Sequence, residues 1–427
     1  MNKGLTKAEN SWVFYDWANS AYSIIISTAV FPLFFKAAST NAGVSGEDST
    51  AYLGYTIAIA TFILAMLGPI LGTIADYEGL KKKFFTFFFA LGISATALLA
   101  FVPTEQWLLL LICYTFAAVG SSGANVFYDA YLVDVTSENR MNKVSARGFG
   151  MGYIGSTIPF IISIAIIILA QNEIIPITTT LASKISFLIT ALWWGLFTIP
   201  LFKNVHQKYF IQREPNPVVN SFKRLGKTFI EIRKYRALFL FLLAYFFYID
   251  GVGTIITMST AYGSDLGISA TNLLIILFFT QVVAAPFAFL YGKLSEKFTG
   301  KKMLYVGIIV YIIVCIYAFF MKTTFDFWVL AMLVASSQGG IQALSRSYFA
   351  KLVPKENANE FFGFYNIFGK FASIMGPLLV SVTAQITGNS SYGVFSLVIL
   401  FIIGIIILSF VPEPKDAQNI SAEPVRV

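Results

Sequence analysis

The chain has 427 residues, of which 57% are hydrophobic and only 12% charged, with 43 phenylalanines and a formal net charge of +8. A soluble protein of this length keeps about a quarter of its residues charged to face water, so the composition excludes an ordinary soluble globule and predicts an outer surface that faces lipid. One histidine and two cysteines, Cys113 and Cys315, both inside apolar runs, leave little for a zinc cluster or a disulfide framework, and bases confined to short segments between apolar runs argue against nucleic acid.

Apolar runs at 12–35, 51–75, 84–102, 106–134, 146–170, 183–202, 237–260, 269–294, 303–321, 326–350, 361–386 and 391–411 are near or above the roughly twenty residues that cross hydrocarbon. They predict an all-α membrane protein with twelve transmembrane helices. The expected divisions are 1–202, a first set of six helices; 203–236, a linker on the cytoplasmic side; 237–411, a second set of six; and 412–427, a disordered tail.

The first run has no basic, cleavable leader before it and reads as a retained helix. It holds Tyr15, Asp16, Asn19, Tyr22 and Ser23. Positions 15, 19, 22 and 23 share a helical face with Asp16 beside it, so Asp16 reads either as a helix-start acid or as a transport residue. Trp12, Trp17, Trp107 and Trp328 fall near expected interfaces and read as aromatic anchors. Residues 36–50, rich in Ser, Gly, Asn and Thr, read as an irregular loop.

The stretch Gly68–Lys83, GPILGTIADYEGLKKK, joins the second and third runs. Its glycine at 72, acid at Asp76 and lysines from 81 return in weaker form as Gly292, Glu296, Lys301 and Lys302, an internal repeat. Asp76 is expected to meet the positive N-terminal end of a neighbouring helix, or Arg140 or Arg147, and so to latch one access state. Placing Lys81–Lys83 in the cytoplasm puts both termini there and leaves the opposite loops with few bases, chiefly Lys36, Lys184 and Lys322.

The fourth run carries Asn125 and Asp129, four residues apart on one face, and Asp134, which is expected to pair with Arg140 or Arg147. The linker after Pro217 has the pattern of an amphipathic surface helix with Phe222, Leu225 and Phe229 on its apolar side. In the seventh run Asp250 lies about a dozen residues past Arg236, the depth expected of a cavity acid that binds a proton, a cation or a substrate ammonium, or else of an acid locked in a helix-to-helix hydrogen bond. Gln281 and Gln338 are midspan hydrogen-bonding candidates. Superposing the halves sets Asn125 against Gln342 and Asp129 against Arg346, a charge opposition that fits a gate or a polar cavity. Lys370, inside the eleventh run, reads as a cation for a substrate carboxylate or as the partner of an acid.

With these residues in view, Gly68–Lys83 resembles the loop signature of the major facilitator superfamily, and Gly292–Lys302 resembles its degenerate second copy. FYDWANSAY, Phe14–Tyr22, with FYDAYLVDV, Phe127–Val135, resembles the autophagy-related vacuolar effluxer-like family within it. The resemblance implies two pseudo-symmetric six-helix bundles that rock about a central cavity. It also brings an association of fungal members with amino-acid export from the vacuole. The chain departs from the broader signature at Tyr77 and Glu78, and has lysine at 81–83 where arginine is common.

The function expected is secondary active transport of a small polar solute, an amino acid or related metabolite, with proton coupling as an option. The coupling or binding candidates are Asp16, Asn19, Asn125, Asp129, Asp250, Gln281, Gln338, Gln342, Arg346 and Lys370, and the latch candidates are Asp76, Asp134, Arg140, Arg147 and Glu296. No GxxxxGK stretch is present, which disfavours direct ATP hydrolysis. No cofactor, metal or nucleic acid is expected; membrane lipids are the surroundings, a monomer the expected state, and a bacterial cytoplasmic membrane the expected location. The alternatives are a lipid translocase or scramblase and an intramembrane lipid-modifying enzyme.

Overall fold

A computed structural model describes residues 4–212, 215, 217–230, 235–265, 267–268 and 270–413. The tail from 414, and Arg213, Glu214, Glu231, Arg233 and Lys234 of the linker, lie outside the described residues. Among the described residues, eleven helices are long and apolar enough to cross a membrane.

The first crossing begins earlier than hydropathy places it. Thr6 and Glu9 form a capping box: the Thr6 hydroxyl accepts the Glu9 N–H at 3.2 Å and the Glu9 carboxylate accepts the Thr6 N–H at 2.7 Å. This starts α1 (Lys7–Tyr22) five residues before Trp12, so Asp16 lies in the third turn and Glu9 is the helix-start acid. A π-helical segment, Ser23–Ala29, then leads into α2 (Val30–Asn41). A π segment widens the helix and leaves local backbone groups available, a feature common near functional sites. The expected loop at 36–50 shrinks to a few residues. The Ser45 hydroxyl accepts the Asp48 N–H at 3.0 Å and starts α3 (Gly46–Ala75) there.

Gly79, at φ 72°, makes the turn from α3 into α4 (Leu80–Leu98), a left-handed conformation that favours glycine. Lys81, Lys82 and Lys83 occupy the first turn of α4 and leave 84–98 as its uninterrupted apolar length, short of the usual span. Next come α5 (Trp107–Ala130), the single turn α6 (Leu132–Val135), α7 (Met141–Gln171) and α8 (Thr179–Asn204). Beyond the linker helix α9 (Pro217–Ile230) lie α10 (Arg236–Asp265), α11 (Ala270–Phe298), α12 (Gly300–Phe320) and α13 (Thr324–Leu352). The chain closes with α14 (Ala358–Thr387), α15 (Ser390–Ser396) and α16 (Val398–Ser409), so the expected last run is broken at Leu397.

Two seams join the helices before α9 to those after it: α3 against α14, and α7 against α11 and α13. Both seams depend on missing side chains. A Cβ on Gly72 would collide with the Asn359 carbonyl, one on Gly363 would meet the Gly68 carbonyl oxygen at 2.7 Å, and one on Gly292 would meet the Ala146 methyl at 2.6 Å. Small residues let the backbones approach this closely, which is how helices associate without a hydrophobic driving force between them. The close approaches lie at the ends of α3, α7, α11 and α14 that join the Lys81–Lys83 loop and its counterparts, called the basic end below.

Candidate functional site

Arg346 on α13 is the centre of a cluster that crosses both parts of the molecule. Its Nη2 donates to Asp16 Oδ2 on α1 at 2.9 Å and its Nη1 to Asp129 Oδ1 on α5 at 3.1 Å. Its Nε donates to Ser145 Oγ on α7 at 2.9 Å, and Ser145 Oγ donates onward to the Ala343 carbonyl at 2.8 Å. Trp12, Phe149 and Tyr128 lie 4.6, 4.5 and 5.5 Å from the guanidinium carbon, ring centroids facing it. Only 3% of Arg346 is exposed. A buried guanidinium is tolerable because its charge and four of its five N–H donors are met at once, and the aromatic faces add cation–π attraction. Gly148 keeps the space open, since a Cβ there would meet Arg346 Nη2 at 2.9 Å.

Asp129 and Arg346, set opposite each other by the internal repeat, are thus in direct contact, and Asp16 joins them. Trp12, expected as an interfacial anchor, is instead fully buried. It stacks on Tyr128 at 4.6 Å and donates its indole N–H to the Tyr128 carbonyl at 2.9 Å. The early start of α1 carries it well inside the helix. Ser145 was not among the expected site residues; a serine next to a glycine-rich helix face carries no signal by itself.

Next to this cluster in α1 and α5, Asn19 donates to Asn125 Oδ1 at 2.8 Å, and Ser121 donates to Asn19 Oδ1 at 3.3 Å. Ser122 and Val126 of α5 line a narrow pocket with Leu64 of α3 and with Gly363, Asn366 and Lys370 of α14. Lys370 lies near the middle of α14 yet is exposed, so its ammonium opens on space between helices. Among the described residues no ion pair or hydrogen bond engages it.

Asp250 takes the second of its two expected places, a hydrogen bond between helices. It is fully buried between α10 and α14, where Oδ1 accepts the Gly376 N–H at 2.9 Å and the Thr254 hydroxyl at 3.5 Å, and Oδ2 is without a described partner. Pro377 follows Gly376 and interrupts the helical hydrogen-bond ladder, so Asp250 caps a backbone group at a weak point of α14. Gln281 and Gln338 line a mostly apolar pocket of ≈ 830 Å³ within the helices after α9, together with Thr254 and Tyr262. Gln342, one turn before Arg346, is half-buried.

Asp76 ends α3 and is fully buried at the basic end. It accepts the Asn359 and Glu360 N–H groups at 2.9 and 3.3 Å, at the positive start of α14, and the Asn359 side-chain amide at 2.9 Å. The arginine is neither Arg140 nor Arg147. Arg224, from linker helix α9, bridges Asp76 at 3.1 Å and Glu360 at 3.2 Å, and Thr228 donates to Glu360 at 2.6 Å. The face of α9 turned to the protein therefore carries Ser221, Arg224 and Thr228, while Phe222 is exposed.

Asp134 also pairs differently from expectation. Lys81 Nζ sits 2.6 Å from its Oδ2, both side chains fully buried, and the Lys208 and Tyr209 N–H groups donate to its Oδ1 at 2.8 and 3.0 Å. Arg140 is drawn away because its Nε and Nη2 grip Glu9 at 2.9 and 2.7 Å. Glu9 was missed although the Thr6-x-x-Glu9 pattern was available. Glu296 of α11 lies 3.7 Å from Lys143 of α7, and Arg147 is exposed with no described partner.

Burial pushes the Asp76 carboxyl up to about 7, against the pull of Arg224 and Asn359. When the helices part, water returns the group to about 4. The closed basic end therefore holds a proton that the parted form has released. This preference for closure is full below about pH 4, is lost as pH rises to about 7, and does not change further above it. Spin labels at Lys83→Cys and Lys302→Cys are expected to report more of the short, closed distance as pH falls from 8 to 5, and Asp76→Asn to flatten that response; an unchanged slope in the variant would contradict the assignment.

The family model described as "Vacuole effluxer Atg22 like" matches residues 6–141 and 133–421. The "Uncharacterized MFS-type transporter YxiO" of Bacillus subtilis is 75% identical over 418 residues, 98% of each chain. "Autophagy-related protein 22" of Eremothecium gossypii is 22% identical over 453 residues, 92% of this chain and 88% of that protein. Among solved structures, the proton:xylose symporter XylE of the major facilitator superfamily superposes with a TM-score of 0.71 at 11% identity, covering 97% of this chain and 98% of that one, a likeness of fold. With a matching family model over most of its length and a near relative at 75% identity, the chain belongs to the Atg22-like effluxer family of major facilitator superfamily transporters and is a transporter, not an enzyme.

Proposed function

We propose that this transporter moves a small polar solute by alternating access between two six-helix sets, 1–202 and 237–411, with α4 as the twelfth crossing and the basic end in the cytoplasm. The observation that carries the reading is Arg346, which binds Asp16, Asp129 and Ser145 across the seam and holds the basic end shut. Alternating access needs such a bond, strong in one state and broken in the other. The cluster sets two carboxylates against one guanidinium. Ionisable residues inside a span mark ion paths and proton relays, and this grouping is what supports proton coupling through Asp16 and Asp129.

Lys370 supports a solute with an anionic group, such as the carboxylate of an amino acid. Among the described residues it is a cation without an acid partner, and it lines the same pocket as Asn366 and Ser122. Lys370→Ala is expected to raise KM roughly tenfold or more, the worth of one charge-assisted hydrogen bond, and Lys370→Arg to recover part of it. An unchanged KM in sealed proteoliposomes would remove Lys370 from the site. The same vesicles test the function: amino-acid movement is expected to follow an imposed proton gradient and to lose that dependence in Asp129→Asn. Gradient-independent movement in both proteins would rule out proton coupling.

A further inference from the structure

We infer that the groove between α1, α7 and α11 at the basic end is a binding site for an anionic phospholipid, whose headgroup bridges Arg147 before the linker and Lys293 after it. The groove is open on one side, has a volume of ≈ 920 Å³, and is separate from the Arg346 cluster and the Lys370 pocket in its lining. The proposal goes beyond solute transport and does not depend on which solute is carried.

Three cations, Lys143, Arg147 and Lys293, face one acid, Glu296. Glu296 is engaged by Lys143 at 3.7 Å, while Arg147 and Lys293 are exposed and, among the described residues, without an ion pair or hydrogen bond. Arg147 lies six residues from the start of α7 and Lys293 five from the end of α11, depths of roughly 9 and 7.5 Å at 1.5 Å per residue. At 31 and 29 residues α7 and α11 are longer than the ≈ 30 Å hydrocarbon core, so positions this near their ends fall in the polar interfacial layer.

The walls then change character together. Four residues further into the membrane from Asn10, Arg147 and Lys293 stand Phe14, Met151 and Phe289, each on the same helical face one turn deeper. A soluble anion needs only the charged rim. A rim of unpaired cations above an apolar floor on three helices fits a molecule with a phosphate and an acyl chain, in the way basic pockets between transmembrane helices take anionic headgroups.

The position also gives the lipid a consequence. Phe289 fits into the space that a Cβ on Gly150 would occupy, at 2.5 Å, so the groove straddles the same α7–α11 seam that closes the basic end. A phosphate held by both Arg147 and Lys293 binds the closed form and loses one of its two cations when the seam parts. Anionic lipid therefore favours closure at this end.

The test uses the full chain in detergent, titrated with phosphatidylglycerol, phosphatidylcholine and inorganic phosphate, with binding read by native mass spectrometry and by thermal shift. Phosphatidylglycerol is expected to bind and stabilise, and phosphatidylcholine and phosphate to do neither. Each cation near an anionic headgroup is worth roughly fivefold in affinity, so Arg147→Gln with Lys293→Gln is expected to weaken phosphatidylglycerol by about 30-fold. Both side chains are exposed, so the unliganded melting temperature is expected to hold. Lys83→Gln, which removes an exposed cation elsewhere at the basic end, is the control and is expected to leave binding unchanged. Equal stabilisation by inorganic phosphate would make the groove a soluble-anion site. An equal loss in Lys83→Gln, or no loss in the double variant, would reduce the effect to diffuse charge. Any of these results overturns the proposal.

Discussion

Arg346→Ala is expected to abolish transport and to open the basic end of the molecule. The guanidinium is the point at which α13 is tied to α1, α5 and α7. Removing one partner of a buried ionic cluster leaves the remaining charges uncompensated, a cost of about 3–5 kcal/mol. The cost falls on the closed arrangement, because Asp16 and Asp129 regain water when the helices part. A shift of that size changes the ratio of two states by roughly a hundredfold to a few thousandfold, close to what moves a population from one side almost wholly to the other. Arg346→Lys keeps the charge but not the planar fork that reaches both carboxylates, and is expected to give an intermediate closed fraction. The readouts are solute movement in proteoliposomes and the distance across the basic end. An Arg346→Ala protein that transports normally would remove the cluster from the mechanism.

The second large effect concerns folding rather than transport. Lys81 and Asp134 form a fully buried pair, and Asp134 also accepts two linker N–H groups, so this one carboxylate fastens α4, α6 and the start of the linker together. Lys81→Ala and Asp134→Ala are each expected to lower unfolding stability by about 3–5 kcal/mol, because each strands its partner. The double change Lys81→Met with Asp134→Leu removes both charges and is expected to recover part of the loss. Recovery stays incomplete because the Lys208 and Tyr209 N–H groups lose their acceptor. Thermal unfolding in detergent distinguishes the cases. Single variants as stable as the parent would mean that the pair contributes nothing net.

Hydropathy and the repeat between the halves made a good part of this arrangement legible. The Asp129–Arg346 contact agrees with the pairing expected from superposing the fourth and tenth runs, and the long arginine side chain makes it although α5 and α13 do not pack closely on each other. Asp76 was legible as an acid seeking a helix start, since its place at the end of α3 leaves few other partners. What failed was partner choice. The arginines nearest Asp134 in sequence are Arg140 and Arg147, yet its partner is Lys81, 53 residues earlier, because the capping box lets Glu9 claim Arg140 first.

Hydropathy also detects the apolar middle of a helix and not its polar first turn, so Lys7–Ser11 went unseen and both Trp12 and Asp16 were placed too near the membrane surface. Asp250 shows the same limit at the other extreme. Depth in a run is visible, but a carboxylate facing a cavity and one capping Gly376 at a proline break have the same local sequence. In α9 the apolar residues marked the side expected to face the membrane, and Phe222 is exposed, but they gave no sign of what the other side would hold. The inward side is set by what Asp76 and Glu360 require, which is Arg224 and Thr228.

Closure of the basic end by Arg346 is tested most directly by the distance distribution between spin labels at Lys83→Cys and Lys302→Cys. Both positions are exposed at that end, one before and one after the linker, and Cys113 and Cys315 are first replaced. The parent is expected to show a dominant short distance, and Arg346→Ala a dominant longer one at the same pH. Identical distributions in the two proteins would mean that the basic end is held by the helix seams alone, and would contradict the account.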